Sequence, residues 1–297
     1  MLEPVKKSII PFGGPDVQHP GLDSARIVVL PLCYEQSPSY GSGSGEGPYH
    51  LTAASEQLEQ FDEETLTNWG ALPIHTLAPM HFFDTPERCV MEMKAAAKAV
   101  MEKDKFLLSL GGDHAVAIGP IMAASEIWPG IGVLQVDAHL DLRDEWNGSR
   151  FNHACVMRRV LDAGIQPLVQ VGIRSFSKEE HEVVVDHGMN PFYAHRIDPG
   201  SFSWIDDVLA ALPEEVYLTV DLDGLDPSEM PGTGTPEPGG LSYRQLIRLI
   251  RAVGLQKRVV AADVSELAKI EGSQVSETMA ARVAEKIVVC CSGMGND

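Results

Sequence analysis

Continuous runs of apolar residues recur along the chain and alternate with segments of helical periodicity. Such runs, without polar alternation, are typical of parallel strands that are covered on both faces. Six runs are strong and two are weak, which predicts about eight strands. The strong ones lie at 25 to 34, 105 to 111, 131 to 137, 167 to 173, 215 to 221 and 258 to 264, and the weak ones at 72 to 77 and 191 to 197.

Helical patterns fill the intervals between these strands. The segment at 242 to 253, for example, carries one apolar stripe and has Ser242 available as an N-cap. Regular alternation of strand and helix predicts a mostly parallel sheet between two helical layers, a three-layer α/β/α sandwich. The predicted helices lie at 48 to 63, 85 to 103, 116 to 127, 154 to 164, 177 to 188, 202 to 212, 242 to 253 and 275 to 289.

Length and charge narrow the picture further. A chain of 297 residues with 44% apolar content can bury a full α/β core, and without an internal repeat or linker we expect one domain over residues 1 to 297. The formal charge of −19 argues against a nucleic-acid or anionic-membrane partner, because both require clustered lysine and arginine. It suits a cationic small molecule, although solubility alone explains it equally well.

Cysteine usage and the N-terminal sequence indicate a compartment. The five cysteines are an odd number without zinc-site spacing, which fits buried thiols in a reducing environment. Pro11 interrupts the N-terminal segment before the apolar core of a signal peptide forms. Since no apolar run approaches the ~18 residues of a membrane helix, we expect a soluble, cytoplasmic protein.

Acidic motifs follow four of the predicted strands. GGDH begins at Gly111, DAHLD at Asp137 and DLD at Asp221, and DVSE ends at Glu266. The carboxyl ends of parallel strands meet at one edge of a sheet, where functional groups gather. A single carboxylate after a strand is readily explained as a helix cap. Four strands that each end in a group of acidic residues are not, so the motifs predict a single functional site.

These motifs supply the ligands for two metal ions. Alternate residues of DAHLD project to one side of an extended segment, so its two aspartates and its histidine can converge, and DLD repeats the pattern. The glycines of GGDH are expected to let the chain turn sharply before the histidine. Oxygen-rich coordination with one imidazole per ion suits Mn²⁺, although affinity alone does not exclude Zn²⁺ or Co²⁺. The predicted ligands are His114, Asp137, His139, Asp141, Asp221 and Asp223.

In their order along the chain, the motifs GGDH, DAHLD, DLD and DVSE resemble those of the ureohydrolase family, which contains the arginases and agmatinases. The similarity extends from the segment YGSGSGEGP at 40 to 48 to SETMAARVAEKIV near the C-terminus. It implies an arginase-like fold with eight parallel strands, two Mn²⁺ ions per subunit, and hydrolysis of a guanidine to urea and an amine. Asp137 and Asp221 would then bridge the two ions.

The resemblance also assigns roles around the metals. A water shared by the two ions would attack the guanidinium carbon, and Asp141 would both bind metal and relay a proton to the leaving amine. Glu266 matches the carboxylate that grips the guanidinium, and His153 matches a proton shuttle. Thr235 is expected to lie against the guanidinium.

The substrate is less clearly indicated. The polar loop with which arginases hold the α-amino and α-carboxylate groups of arginine is replaced here, and LRDE followed by HACVMRR looks more like agmatinase-type sequences. We therefore expect agmatine, hydrolysed to urea and putrescine for polyamine biosynthesis, with its amine received by Asp144, Glu145 or Glu46. Arg143 would instead favour guanidinobutyrate or guanidinopropionate, unless it is tied to Asp144, Glu145 or a carboxylate of another subunit. Aminopropylagmatine and arginine remain alternatives.

Two other functions compete with this one. A two-metal phosphoesterase would use a similar cluster, but no arginine or lysine clamp for phosphate is evident. A non-catalytic, metal-stabilised scaffold would have no need of Glu266 and His153. From the resemblance we also expect a homo-oligomer, a trimer or hexamer. The glycine-rich segment at 40 to 47 lacks a phosphate-binding motif and is either a mobile lip over the site or an ordinary loop.

Overall fold

The computed structural model describes residues 9 to 36, 40 to 198 and 200 to 294. Its centre is one sheet of nine strands, and every pairing between these strands is parallel. In chain order the strands are β1 (Ile27–Cys33), β2 (Ile74–Thr76), β3 (Met80–His81), β4 (Phe106–Gly111), β5 (Gly132–Val136), β6 (Leu168–Ile173), β7 (Phe192–Tyr193), β8 (Glu215–Asp221) and β9 (Arg258–Ser265).

Eight α-helices in the described part of the chain cover the two faces of the sheet. They are α1 (Gly47–Ser55), α2 (Pro86–Met101), α3 (Ile118–Ile127), α4 (Val156–Asp162), α5 (Lys178–Asp186), α6 (Trp204–Ala211), α7 (Tyr243–Gln256) and α8 (Val275–Cys291). As predicted, Ser242 caps α7, because its hydroxyl accepts a hydrogen bond from the backbone of Gln245.

Two apolar cores lie on opposite sides of the sheet. Along β1, Ile27 and Val29 face α1, α6, α7 and α8, whereas Val28 and Leu30 face α2, α3, α4 and α5. Because successive strand residues point to opposite faces, both sets of side chains are buried, which is why the sequence shows continuous apolar runs. The predicted three-layer α/β/α architecture is confirmed.

Two elements differ from the sequence-based expectation. The strand β3 was not predicted, because a pair of residues at Met80–His81 is too short to leave an apolar run. The helix expected at 48 to 63 ends at Ser55. Further on, the carboxylate of Asp62 accepts hydrogen bonds from the backbone of Glu64 and Thr65, so this segment turns instead of continuing as a helix.

The order of the strands explains how the motifs come together. Across the sheet the order is β2-β1-β4-β9-β8-β5-β6-β7, with β3 also pairing with β1. The four strands that precede the acidic motifs, β4, β9, β8 and β5, are therefore direct neighbours at the centre of the sheet. Their carboxyl ends form one continuous edge.

Candidate metal centre and active site

Two groups of potential metal ligands lie at this edge of the sheet. In the first, Nδ1 of His114 is 3.1 Å from Oδ2 of Asp137 and 2.8 Å from Oδ2 of Asp141. In the second, Nδ1 of His139 is 3.4 Å from Oδ1 of Asp137 and 3.1 Å from Oδ2 of Asp223. Within each group the ligand atoms all lie within 4.8 Å of one another.

Asp137 belongs to both groups, and its two carboxylate oxygens face different histidines. This is the arrangement that a bridging carboxylate requires. Asp221, the other expected bridge, has Oδ2 at 3.6 Å from Nδ1 of His114. The structure thus gathers all six predicted ligands in one place, and the oxygen and imidazole donors fit two divalent cations.

The charge balance of this cluster favours cations. Burial raises the pKa of Asp221 well above its usual value, and the neighbouring carboxylates of Asp223 and Asp137 raise it further. Burial acts to lower the pKa of His139, but the charge of Asp223 and a hydrogen bond to Asp137 raise it to about 12. Divalent ions would take over the role of these protons and offset the repulsion among the carboxylates.

Close packing accounts for the glycines of GGDH. The amide of Gly112 donates to the carbonyl of Leu32, and a Cβ at this position would clash with the carbonyl oxygen of Tyr34. A Cβ on Gly111 would instead clash with the side chain of Val116. Neither glycine has a positive φ, so the expected sharp turn is not the reason for them. Gly112 lets the loop that carries His114 pack directly against the chain at the end of β1.

Glu266 is held by the same loop. Its backbone amide donates to the carbonyl of Gly112 at 2.8 Å, and its Oε1 accepts from the backbone amide of His114, also at 2.8 Å. Glu266 and Asp141 both have positive φ values, 67° and 54°, which non-glycine residues seldom adopt. Strained backbone of this kind is maintained where surrounding contacts fix a functional side chain.

A cavity of about 290 Å³ opens beside the ligands. Its walls include the expected substrate-binding and proton-transfer residues Glu266, His153 and Thr235. The Thr235 hydroxyl donates to Oδ2 of Asp223 at 3.1 Å, and burial lowers the pKa of His153 to about 4, so its imidazole is neutral at pH 7. The other lining residues are His114, His139, Asp141, Arg143, Trp146, Ala154, Ser175, Phe176, Ser177, Glu180, Asp221 and Asp223.

Three residues expected to receive the substrate amine are not among those that line the cavity. The carboxylate of Asp144 accepts from Arg159 at 2.6 Å and from Arg150 at 2.8 Å, so its charge is already paired. Glu145 and Glu46 are exposed. The sequence could not reveal this pairing of Asp144, because Arg159 lies on α4 and comes near Asp144 only in the folded chain.

Arg143 does line the cavity, and its charge is balanced locally. Its guanidinium carbon lies 4.4 Å from the centre of the Trp146 ring, and one guanidinium nitrogen is 3.8 Å from Oε2 of Glu180. Glu180 is buried and accepts hydrogen bonds from the backbone amides of Leu142 and Ser177. The carboxylate that faces Arg143 is therefore that of Glu180 on α5, and not that of Asp144, which the sequence analysis had named and which pairs with Arg150 and Arg159.

Sequence reasoning missed one wall of the cavity. Ser175, Phe176 and Ser177 follow β6, and the rule that functional groups lie beyond the carboxyl ends of strands could have identified them. Glu180 gave no such signal. Together with Ser177 it forms a capping box at the start of α5, and in the sequence it is indistinguishable from an ordinary helix cap.

The glycine-rich segment is attached to the chain next to Thr235. The amide of Gly41 donates to the carbonyl of Gly234 at 2.9 Å, and the amide of Gly43 donates to Glu35 at 2.8 Å. Thr235 lines the cavity, whereas residues 40 to 47 are not among the lining residues. The closure of this segment over the site stays a prediction, and residues 37 to 39 lie outside the described part of the chain.

An all-parallel sheet with two groups of metal-ligating side chains beside a cavity is the arrangement of an α/β metallohydrolase. A model of the arginase family matches residues 25–291. The chain belongs to this family and is a hydrolase of C–N bonds in amidines. No helix in the described residues has the length and apolar content needed to cross a membrane.

Individual relatives agree with this assignment. An N(1)-aminopropylagmatine ureohydrolase of Synechocystis sp. is 38% identical over 275 residues, covering 89% of this chain and 88% of the relative. An agmatinase of Bacillus cereus is 30% identical over 263 residues, covering 85% and 87%. The crystal structure of an agmatine ureohydrolase of Thermoplasma volcanium has a TM-score of 0.85 at 28% identity, covering 97% of this chain and 94% of that one.

Proposed function

We propose that this chain hydrolyses a linear guanidine with an amine-bearing tail to urea and the corresponding amine, using two Mn²⁺ ions. His114 and Asp141 would hold one ion, His139 and Asp223 the other, and Asp137 and Asp221 both. When bound, such a pair of ions lowers the pKa of water enough to make it a nucleophile at neutral pH. Six ligands gathered at one edge of the sheet support this proposal.

The chain's own residues would perform the remaining tasks. Glu266, fixed by its hydrogen bond from His114, would pair with the guanidinium through charge-assisted hydrogen bonds. Thr235 would border the same group. His153 is neutral at pH 7 and lines the cavity, so its ring would accept a proton and pass it to the leaving nitrogen.

The observation that supports an amine-bearing tail is the pairing of Arg143 with Glu180. An acid-tailed guanidine would need an uncompensated positive charge in the cavity, and Arg143 is the only arginine or lysine among the lining residues. Because Glu180 and the Trp146 ring already face its guanidinium, little attraction for a carboxylate is left. The exposed ring of Phe176, which also lines the cavity, instead suits the methylene groups of the tail.

Within the amine-tailed guanidines we place N(1)-aminopropylagmatine ahead of agmatine, which the sequence alone favoured. The reason is the higher identity of this chain to relatives that carry the aminopropylagmatine name, 38% against 30% for an agmatinase. We further propose that the protein is cytoplasmic and homo-oligomeric.

A substrate panel tests this proposal. Urea release would be measured with Mn²⁺ for N(1)-aminopropylagmatine, agmatine, arginine, guanidinobutyrate and guanidinopropionate. We expect the two amine-tailed compounds to exceed the other three in kcat/KM by at least tenfold, which corresponds to about 1.4 kcal/mol of transition-state stabilisation. A preference for arginine or for either acid would contradict the proposal.

A second prediction concerns Arg143 itself. Arg143→Gln removes the positive charge from the cavity wall and leaves Glu180 uncompensated. We expect the kcat/KM for agmatine, divided by that for guanidinobutyrate, to rise by about tenfold. One charge close to the substrate tail changes the transition-state free energy by roughly 1 to 2 kcal/mol. Arg150→Gln is the matched control, because Arg150 lies in the same loop but pairs with Asp144 and Asp162 outside the cavity. An unchanged ratio in Arg143→Gln would show that this side chain does not face the tail.

A further inference from the structure

A row of polar side chains crosses the middle of the apolar sheet, one layer below the metal ligands. It runs through five neighbouring strands, because each member is the register partner of the next. All are buried, with at most 1% of their surface exposed. In order across the sheet they are Ser109, Asp263, Thr219, Gln135 and Gln170, which we call the polar row.

Burying polar groups in this position is costly unless they are bonded, and a carboxylate such as that of Asp263 is the most costly of them. The side-chain amide of Gln170 donates to Gln135, which in turn donates to Oδ2 of Asp137 at 2.7 Å. The other half of the row leads to a different ligand, since the hydroxyl of Thr219 lies 2.8 Å from Nε2 of His114. The row therefore contacts the metal cluster at two points.

The hydrogen bonds at Thr219 orient the His114 ring. The Thr219 hydroxyl donates its single hydrogen to Oδ1 of Asp263 at 2.9 Å. The threonine oxygen therefore presents its lone pairs to Nε2 of His114, 2.8 Å away, and accepts from that nitrogen. With Nε2 engaged in this way, Nδ1 is the ring nitrogen that faces Asp137 and Asp141, where an ion would lie.

We propose that Asp263 and Thr219 are positioning residues for metal binding. Acting through the Thr219 hydroxyl, Asp263 holds the His114 ring in one orientation, with Nδ1 available to the ion. A carboxylate that orients a metal-binding histidine usually contacts the ring directly. Here a threonine hydroxyl from β8 connects the histidine on the β4 loop to the carboxylate on β9.

The test measures how tightly each of two Mn²⁺ ions binds to the wild-type protein and to three variants. Mn²⁺ would be titrated into metal-stripped protein by calorimetry. Thr219→Val keeps the shape of the side chain but removes the hydroxyl, and we expect it to weaken one of the two binding steps by about 10- to 100-fold. Thr219→Ser keeps the hydroxyl and should bind within about threefold of the wild type. Ser109→Ala is the matched control, because Ser109 belongs to the polar row but its hydroxyl makes no hydrogen bond with the described residues.

Asp263→Asn provides a second route to the same answer if Thr219→Val does not fold, which thermal unfolding of each variant would reveal. It removes the charge behind Thr219 without altering the threonine, and should weaken the same binding step. Wild-type affinity for both ions in folded Thr219→Val or Asp263→Asn would overturn the proposal, and so would an equal loss in Ser109→Ala. Because the readout is ion affinity, a failure of the substrate panel would leave this result intact.

Discussion

Asp137→Asn is expected to reduce urea release by at least about a thousandfold. Asp137 is the one residue that belongs to both ligand groups, and each of its oxygens faces a different histidine. An asparagine keeps the shape but removes a negative charge and one oxygen donor, so it would no longer hold a proposed pair of ions together. Metal content after dialysis and the initial rate of urea release would be measured on the same samples.

Asp226→Asn is the matched control for this substitution. Asp226 follows Asp223 closely in the chain, but its carboxylate accepts hydrogen bonds from Ser228, Gly239 and Gly240 and is not part of either ligand group. It should retain most of the activity and both ions. If Asp137→Asn kept a tenth of the wild-type rate, the two-metal mechanism would have to be abandoned.

Glu266→Gln is expected to lower kcat/KM by about 100- to 1000-fold while the metal content stays unchanged. The glutamine oxygen can still accept the hydrogen bond from the backbone of His114, so the loop should keep its conformation. The variant loses the negative charge that would pair with the guanidinium, and charge-assisted bonds of this kind are about twice as strong as neutral ones.

Glu229→Gln is the matched control, because Glu229, like Glu266, accepts a hydrogen bond from a backbone amide. The Glu229 carboxylate accepts from the amide of Tyr243 at 2.7 Å and does not line the cavity. We expect near wild-type kinetics for this variant. An equal fall in kcat/KM in Glu229→Gln and Glu266→Gln would indicate reduced stability and not weaker substrate binding. A loss of bound metal in Glu266→Gln would indicate that Glu266 supports the ligand cluster and not the substrate.

The sequence predicted the architecture and the gathering of the candidate metal ligands because both depend on local patterns. Continuous apolar runs follow from burial on both faces, and each ligand motif directly follows its strand. The parallel sheet then requires the ends of these strands to meet at one edge. His114 and Asp223 could therefore be placed in one site although they are distant in the chain.

The walls of the cavity were harder to predict because they depend on contacts between distant elements. Glu180 reads as a helix cap in the sequence and becomes a wall residue only because α5 packs beside the loop of Arg143. Asp144 was expected at the substrate tail, but two arginines pair with it. Pairing between distant side chains leaves no periodic pattern in the sequence. The charged residues of the loop therefore did not reveal which of them are available to a ligand.

The position of β9 has a consequence for how the protein is made. β9 is the last strand in the described part of the chain, yet it lies between β4 and β8 in the middle of the sheet. Until it emerges from the ribosome, the loop with His114 and the strand with Asp221 have no common neighbour to align them. The first ligand group would therefore be aligned only after residues 258 to 265 have been synthesised, whereas Asp137, His139 and Asp223 of the second group follow β5 and β8, which pair directly.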